Sequence, residues 1–239
     1  MRIAIIGYGK MGKEIEKIAL ERGHSISAKI TSNSSDSEMD SVKDSEVAIE
    51  FSNPKSAVKN IEFCSKNQTP LVVGTTGWYS DFDGIKEKIE QDKSALFYAT
   101  NFSMGVNIFW KANEYLAKIM NSYPAYNVEM EEIHHTQKLD APSGTAITTA
   151  EKIIKNINRK SEWQLEHENQ NDQLKIIAKR EPNVPGTHEV FYNSKIDSIS
   201  IKHKAHSRKG FALGSILAAE FIVDKKGVYS MNDLLNFLK

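Results

Sequence analysis

The sequence predicts an α/β protein in two parts: a parallel sheet flanked by helices, and a second α+β domain on a mixed or antiparallel sheet. Three observations carry this. Short β-branched runs alternate with amphipathic helical stretches over residues 1–103, the pattern of βα units. A glycine-rich turn follows the first of those runs. In the second half, strand-like runs at 174–179, 187–192 and 196–203 follow one another closely, with no helical pattern between them.

Taken in order, Arg2–Ile6 is a β-branched apolar run, the mark of a strand buried on both faces. Gly7-Tyr8-Gly9-Lys10-Met11-Gly12 follows at once, and Glu14 to Arg22 has a helical stripe of Ile15, Ile18 and Ala19. Strand, Gly-x-Gly-x-x-Gly and helix together form a dinucleotide-binding, Rossmann-like fingerprint. Gly7 permits the tight turn, Gly9 lets a pyrophosphate approach, and Gly12 lets helix pack on strand. Ser25–Ile30 is a second strand. No acidic residue follows it in Thr31-Ser32-Asn33 to repel a 2′-phosphate, so NADPH and NADH both remain open. Residues to Ser45 are rich in Ser and Asp and predict a surface connection. Further strands are expected at Val47–Phe51, Pro70–Gly74 and Ala95–Ala99, and a helix start at Ser52-Asn53-Pro54. In an open parallel sheet, the loops at 7–12, 52–54, 74–77 and 100–105 should converge on one cofactor.

Val106 to Ile119 predicts an amphipathic helix, and Asn127 to Ile133 a strand with Val128, Met130 and Glu132 on one face. Ser143 to Ile157 predicts a helix, Asn158 to Asp172 an exposed polar excursion, and Phe211 to Val223 and Met231 to Leu238 two closing helices. The chain is expected to form a dinucleotide-binding domain from 1–103 with 209–239, and a substrate-binding and oligomerisation domain from 104–208.

Bulk properties narrow the function. The chain has 239 residues, with Lys+Arg and Asp+Glu both 31. That zero formal charge argues against a nucleic-acid partner, which would select a basic surface. No apolar run reaches the ~20 residues of a membrane span, and the short apolar N-terminus predicts no secretory signal. Cys64 is the single cysteine and lies on an apolar helical stripe with Ala57, Val58 and Ile61, so a buried structural thiol is expected. A cytoplasmic location fits all of this.

The densest chemistry lies in Glu132-Ile-His-His-Thr-Gln-Lys-Leu-Asp-Ala-Pro-Ser-Gly-Thr-Ala146. The stretch leaves a strand and enters a helix that Ser143 can cap, while Gly144 and Thr145 offer first-turn backbone N–H groups. A helix N-terminus beside His134, His135 and Lys138 suits an anion, most simply a carboxylate. No metal is expected. Strand alternation sends His134 and His135 to opposite faces, so both reach one ligand only if the strand ends there. The basic run Lys202 to Lys209 could line a cofactor phosphate or end a solvated strand.

With these blocks in this order, the sequence resembles the 4-hydroxy-tetrahydrodipicolinate (dihydrodipicolinate) reductases nearly end to end. The most specific match is the family signature Glu-x-His-His-x-x-Lys-x-Asp-Ala-Pro-Ser-Gly-Thr-Ala. Gly-x-Gly-x-Met-Gly at 7–12, Gly-Thr-Thr-Gly at 74–77, Asn-Phe-Ser-Met-Gly-Val-Asn at 101–107, Gly-x-His-Glu at 186–189 and His-Lys-Ala-x-Ser-Arg at 203–208 support it. The resemblance implies hydride transfer from NADPH or NADH to a cyclic imine dicarboxylate in lysine biosynthesis. It implies His134 as proton donor and Lys138 as the cation that offsets developing charge. It places substrate at His135, Ser143, Gly144 and Thr145, and cofactor at Gly7, Tyr8, Gly9, Lys10, Met11, Gly12, Gly74, Thr75, Thr76, Thr100, Asn101, Phe102 and Arg208. It further implies a homotetramer built through the sheet domain. The sequence departs from the family in a shorter loop before residue 12, in lacking an acidic-then-basic pair after the second strand, and in Glu50 where Asp is frequent. Two other readings stand beside it. An aspartate-dehydrogenase-like oxidoreductase would not need Asp-Ala-Pro-Ser-Gly-Thr, and a non-enzymatic dinucleotide sensor would not need His134 and Lys138 beside an anion pocket.

Overall fold

The computed structural model describes residues 1–166 and 172–237. The chain folds as two units, each with its own core: Met1–Ser103 with Lys209–Lys239, and Met104–Arg208.

The first unit is built on a six-stranded sheet. Its strands are β1 (Arg2–Ile6), β2 (Ser25–Ile30), β3 (Val47–Glu50), β4 (Leu71–Val73), β5 (Ala95–Tyr98) and β11 (Gly227–Tyr229), in the order β11-β5-β4-β3-β1-β2. All the pairings are parallel. Parallel strands need crossovers, and helices supply them: α1 (Lys10–Glu21), α2 (Asp36–Asp40), α3 (Pro54–Lys66), α4 (Phe82–Gln91) and α7 (Lys209–Ile222), while α8 (Met231–Phe237) follows the last strand. Strands covered on both faces become continuously apolar, and Ile3, Ala4, Ile5, Val47, Ala48 and Ile49 have no exposed surface. Each of these buried Ile and Val side chains contributes roughly 1.5–3 kcal/mol. Cys64 lies in this core, and burial pushes its thiol well up, so it is a packing residue as expected. The chain runs outward in opposite directions from β1 and β3, so the strand order reverses between them. That is where open α/β sheets bind ligands.

The second unit carries β6 (Asn127–His134), β7 (Glu162–Leu165), β8 (Gln173–Arg180), β9 (Thr187–Asn193) and β10 (Ser198–Lys204), in the order β10-β9-β6-β8-β7. β6 pairs antiparallel with β9 but parallel with β8, so the sheet is mixed. α5 (Met104–Asn121) and α6 (Gly144–Asn156) supply Val106, Phe109, Trp110, Ala150 and Ile153 to a core shared with Val128, Met130, Ile176 and Val190. Among the described residues, no helix is long and apolar enough to cross a membrane.

Four local readings need correction. α1 begins at Lys10, not Glu14, because Gly9 already serves as its N-cap. The Ser/Asp-rich connection holds α2, nucleated by a capping box between Ser35 and Glu38. The polar excursion after Asn158 contains β7, which pairs with β8; its residues 167–171 lie outside the described residues. β11 and α4 were not anticipated. The expected end of α8 at Leu238 also lies outside the described residues.

Candidate active site

The dinucleotide fingerprint forms a cradle in the first unit. The N–H groups of Gly7 and Tyr8 both donate to Ile30 O, at 2.9 and 3.0 Å, pinning the turn to the end of β2. Gly7 has φ 95°, and a Cβ there would lie 2.1 Å from Phe51 O, so the turns after β1 and β3 touch backbone to backbone. Because α1 starts at Lys10, the N–H groups of Lys10, Met11 and Gly12 fall in its first turn, where an α-helix lacks internal acceptors. This is an anion-ready terminus.

A cavity of about 360 Å³ is lined by Gly7, Tyr8, Thr31, Ser32, Ser52 and Asn60. A second, of about 530 Å³, shares Gly9, Phe51 and Ser52 with it and adds Lys10, Met11, Gly74, Thr75 and Thr76. Thr75 also braces the site, since its Oγ1 accepts from Ser52 N at 2.9 Å. The glycine cradle, the helix terminus and the adjoining cavities fit an elongated diphosphate cofactor.

Other expected cofactor residues are placed differently. Tyr8 donates its hydroxyl to Glu16, which also pairs with Lys29 at 2.6 Å, so Lys29 is engaged at Glu16. Phe102 is buried against Phe51 and Phe97, leaving its backbone as its contribution to any ligand. Asn101 is buried and accepts from Ser103 N at 2.9 Å, while Thr100 is exposed. Arg208 is exposed and is the last residue of the second unit.

The second unit assembles the polar cluster. β6 ends at His134, as the alternation argument requires if His135 is to share a ligand with it. Val128, Met130, Glu132 and His134 are all buried on one face, with Glu132 at 0% exposure and His134 at 7%. The strand then turns, with Lys138 N donating to His135 O at 3.1 Å. Lys138 Nζ meets both oxygens of Asp140, at 2.8 and 2.7 Å. Ser143 caps α6, its Oγ accepting from Ala146 N at 3.2 Å, and Gly144 is exposed at the helix start. Thr145 is half-buried, and its carbonyl accepts from Thr149 Oγ1 at 2.7 Å.

Three partners were not anticipated. Glu132 Oε1 accepts from Ser143 N at 3.0 Å and lies 3.5 Å from Arg180 Nη2. Arg180 also donates to Asp140 O at 2.6 Å, tying the Lys138 loop to the sheet. His188 packs edge-on to His134, with centroids 5.1 Å apart, and its Nε2 lies 3.2 Å from Ser143 Oγ. A Cβ on Gly186 would sit 3.1 Å from His134 Nε2. Burial pushes His188 below the usual histidine range. Burial alone would raise the Glu132 carboxyl, but His134, His188 and the Ser143 bond outweigh it and hold it well below the usual carboxylate range. One signal in the sequence pointed here: the alternation that buries Val128 and Met130 also buries Glu132, and a buried carboxylate requires partners. The donor atoms of Glu132, His134 and His188 lie within 4.8 Å of one another. The Arg180 guanidinium already beside Glu132 would repel a metal cation, so the set reads as a proton-handling cluster.

Family models described as dihydrodipicolinate reductase, N-terminus and C-terminus, match residues 1–102 and 105–235. A 4-hydroxy-tetrahydrodipicolinate reductase from Christiangramia forsetii is 48% identical over 100% of this chain and 99% of its own. One from Thermosipho africanus is 35% identical, with 98% of each chain covered. Among solved structures, a dipicolinate-bound dihydrodipicolinate reductase from Paenisporosarcina sp. TG-14 shares the fold at a TM-score of 0.78 and 23% identity, covering 96% of this chain and 97% of that one.

Proposed function

The chain belongs to the dihydrodipicolinate reductase family, and from that premise we propose how its residues reduce 4-hydroxy-tetrahydrodipicolinate to tetrahydrodipicolinate, one hydride and one proton being added while the 4-hydroxyl leaves as water. The observation that carries the reading is a buried histidine at the end of β6, beside a lysine and a capped helix N-terminus. A reduced nicotinamide dinucleotide, NADPH or NADH, supplies the hydride when bound. Gly7, Tyr8, Gly9, Lys10, Met11 and Gly12 would hold its diphosphate through the turn and the first-turn N–H groups of α1. Gly74, Thr75, Thr76, Thr100, Asn101, Phe102 and Arg208 would complete its contacts.

In the second unit, Gly144 N–H and Thr145 would hold one substrate carboxylate at the α6 terminus, next to the Ser143 cap, with His135 as a further contact. Lys138 offsets the dianion and the negative charge that develops at the ring nitrogen, exchanging Asp140 for substrate. His134 delivers the proton to the ring carbon as general acid. The homotetramer implied by the resemblance would use the outer face of the β6–β8–β9 sheet, and mass measurement in solution tests it.

The deciding assay couples the protein to the synthase that makes its substrate, with NADH and NADPH side by side. Synthase-dependent cofactor oxidation is expected. Its absence with both cofactors, or turnover of aspartate with NAD instead, would sink the reading. His134→Gln should lower turnover by about 10²-fold or more while leaving cofactor affinity unchanged.

A further inference from the structure

We infer that Glu132 is the positioning residue for His134, presenting a carboxylate to Nδ1 so that Nε2 is the nitrogen that gives up the proton. This rests on reading His134 as the proton donor. The two residues are separated by one position on β6, so their side chains rise from the same face. Glu132 has no exposed surface, yet only its Oε1 is engaged, by Ser143 N at 3.0 Å and Arg180 Nη2 at 3.5 Å. Oε2 takes no hydrogen bond among the described residues, and neither does the buried His134 Nδ1. These two uncommitted atoms are 3.3 Å apart. They lie within hydrogen-bond reach of each other but out of alignment.

The competing imidazole is farther away, with His188 Nε2 at 3.7 Å and already beside Ser143 Oγ. An unpaired buried carboxylate oxygen is costly. A neighbouring Nδ1–H satisfies it and fixes the tautomer, as in other carboxylate–histidine pairs. The opposite nitrogen, Nε2, faces the backbone of Gly186, where even a Cβ would lie only 3.1 Å away. Through Ser143 N, the same carboxylate also fixes the start of α6, where the substrate carboxylate is proposed to bind. Proton donor and anion site are thereby held in register.

The charged and titratable groups around the pair are Arg180 on β8, His188 on β9 with His203 behind it on β10, and Lys138 and Asp140 in the turn. None of these supplies a second anion at His134 Nδ1.

Two measurements test this. Glu132→Gln keeps the shape and an acceptor for Ser143 N but removes the charge. Turnover should fall roughly 10–100-fold with little change in KM. The alkaline limb of the kcat–pH profile should move about one unit toward acid, because the protonated donor loses its anion. Turnover like that of the wild type, or lower turnover with an unmoved profile, would overturn the inference and leave Glu132 as a brace. Should the variant not fold, ¹⁵N spectra of wild-type protein with labelled histidine decide it. His134, assigned by the signal missing in His134→Gln, should carry its neutral-state proton on Nδ1, and a proton on Nε2 alone refutes the idea. Failure of the parent reading is separate: His134→Gln would then keep its turnover, whatever tautomer the spectra show.

Discussion

Gly7→Ala strikes the point where two turns of the cofactor cradle meet. The native φ of 95° is unfavourable for an L residue, at about 1–2 kcal/mol. The new Cβ would lie 2.1 Å from Phe51 O, 2.5 Å from Phe51 C and 2.8 Å from Ser52 N. These are all backbone atoms, so no side-chain rotation relieves the contact. The turns must separate by roughly 1.3 Å or more to reach ordinary van der Waals distance. That weakens the bonds of Gly7 N to Ile30 O and Phe51 N to Ile6 O, at 2.9 and 2.8 Å, each worth about 1 kcal/mol. Together the losses come to roughly 3–4 kcal/mol, or a Tm about 6–16 °C lower. Phe51 and Ser52 line both cavities, so cofactor affinity should fall at least about tenfold. Thermal unfolding and fluorescence titration with NADPH and NADH measure the two effects. Gly84→Ala in α4 is the control: its Cβ meets nothing within 4 Å, and it should be neutral or stabilise by up to ~1 kcal/mol. A Gly7→Ala protein with wild-type Tm and affinity would refute the cradle.

Gly186→Ala puts a methyl 3.1 Å from His134 Nε2, and the ring must retreat a few tenths of an ångström. Turnover should drop about fivefold with cofactor affinity intact, and equal losses in both would mean a broader distortion. Lys138→Ala removes only a half-exposed pair with Asp140, so stability should change by less than about 1 kcal/mol while turnover falls about 10²-fold; a large drop in Tm would assign Lys138 a structural role. Burial holds His188 below the ordinary histidine value, so the unfolded chain takes up that proton first. The associated stability is full above about pH 6.5, the unfolded value, and is lost as pH falls below it. Glu132, held low, keeps its contribution to far more acidic pH. Wild-type Tm should therefore fall more steeply from about pH 7.5 to about pH 5.5 than that of His188→Gln, and parallel slopes would contradict the assignment.

Much of this protein was legible in one dimension because its signals are local. β-Branched runs, helical stripes and glycines at fixed spacing depend on neighbours a few residues apart, and they identified the parallel sheet, the glycine cradle and the strand-to-helix segment from Glu132 to Ala146. Alternation in β6 placed Glu132 on the face of Val128 and Met130, and the structure buries that face together with His134. Misreadings came where a short polar segment gained structure from a cap or a partner strand, as in α2 and β7. The partners of Glu132 were beyond reach for a different reason. Arg180 stands beside His134 only because β6 pairs parallel with β8, and His188 stands beside Glu132 only because β6 pairs antiparallel with β9. Periodicity assigns a residue to a face of its strand. Which strand lies alongside, in which direction and register, is settled by packing among segments tens of residues apart, and that packing surrounds the buried carboxylate with two histidines and an arginine.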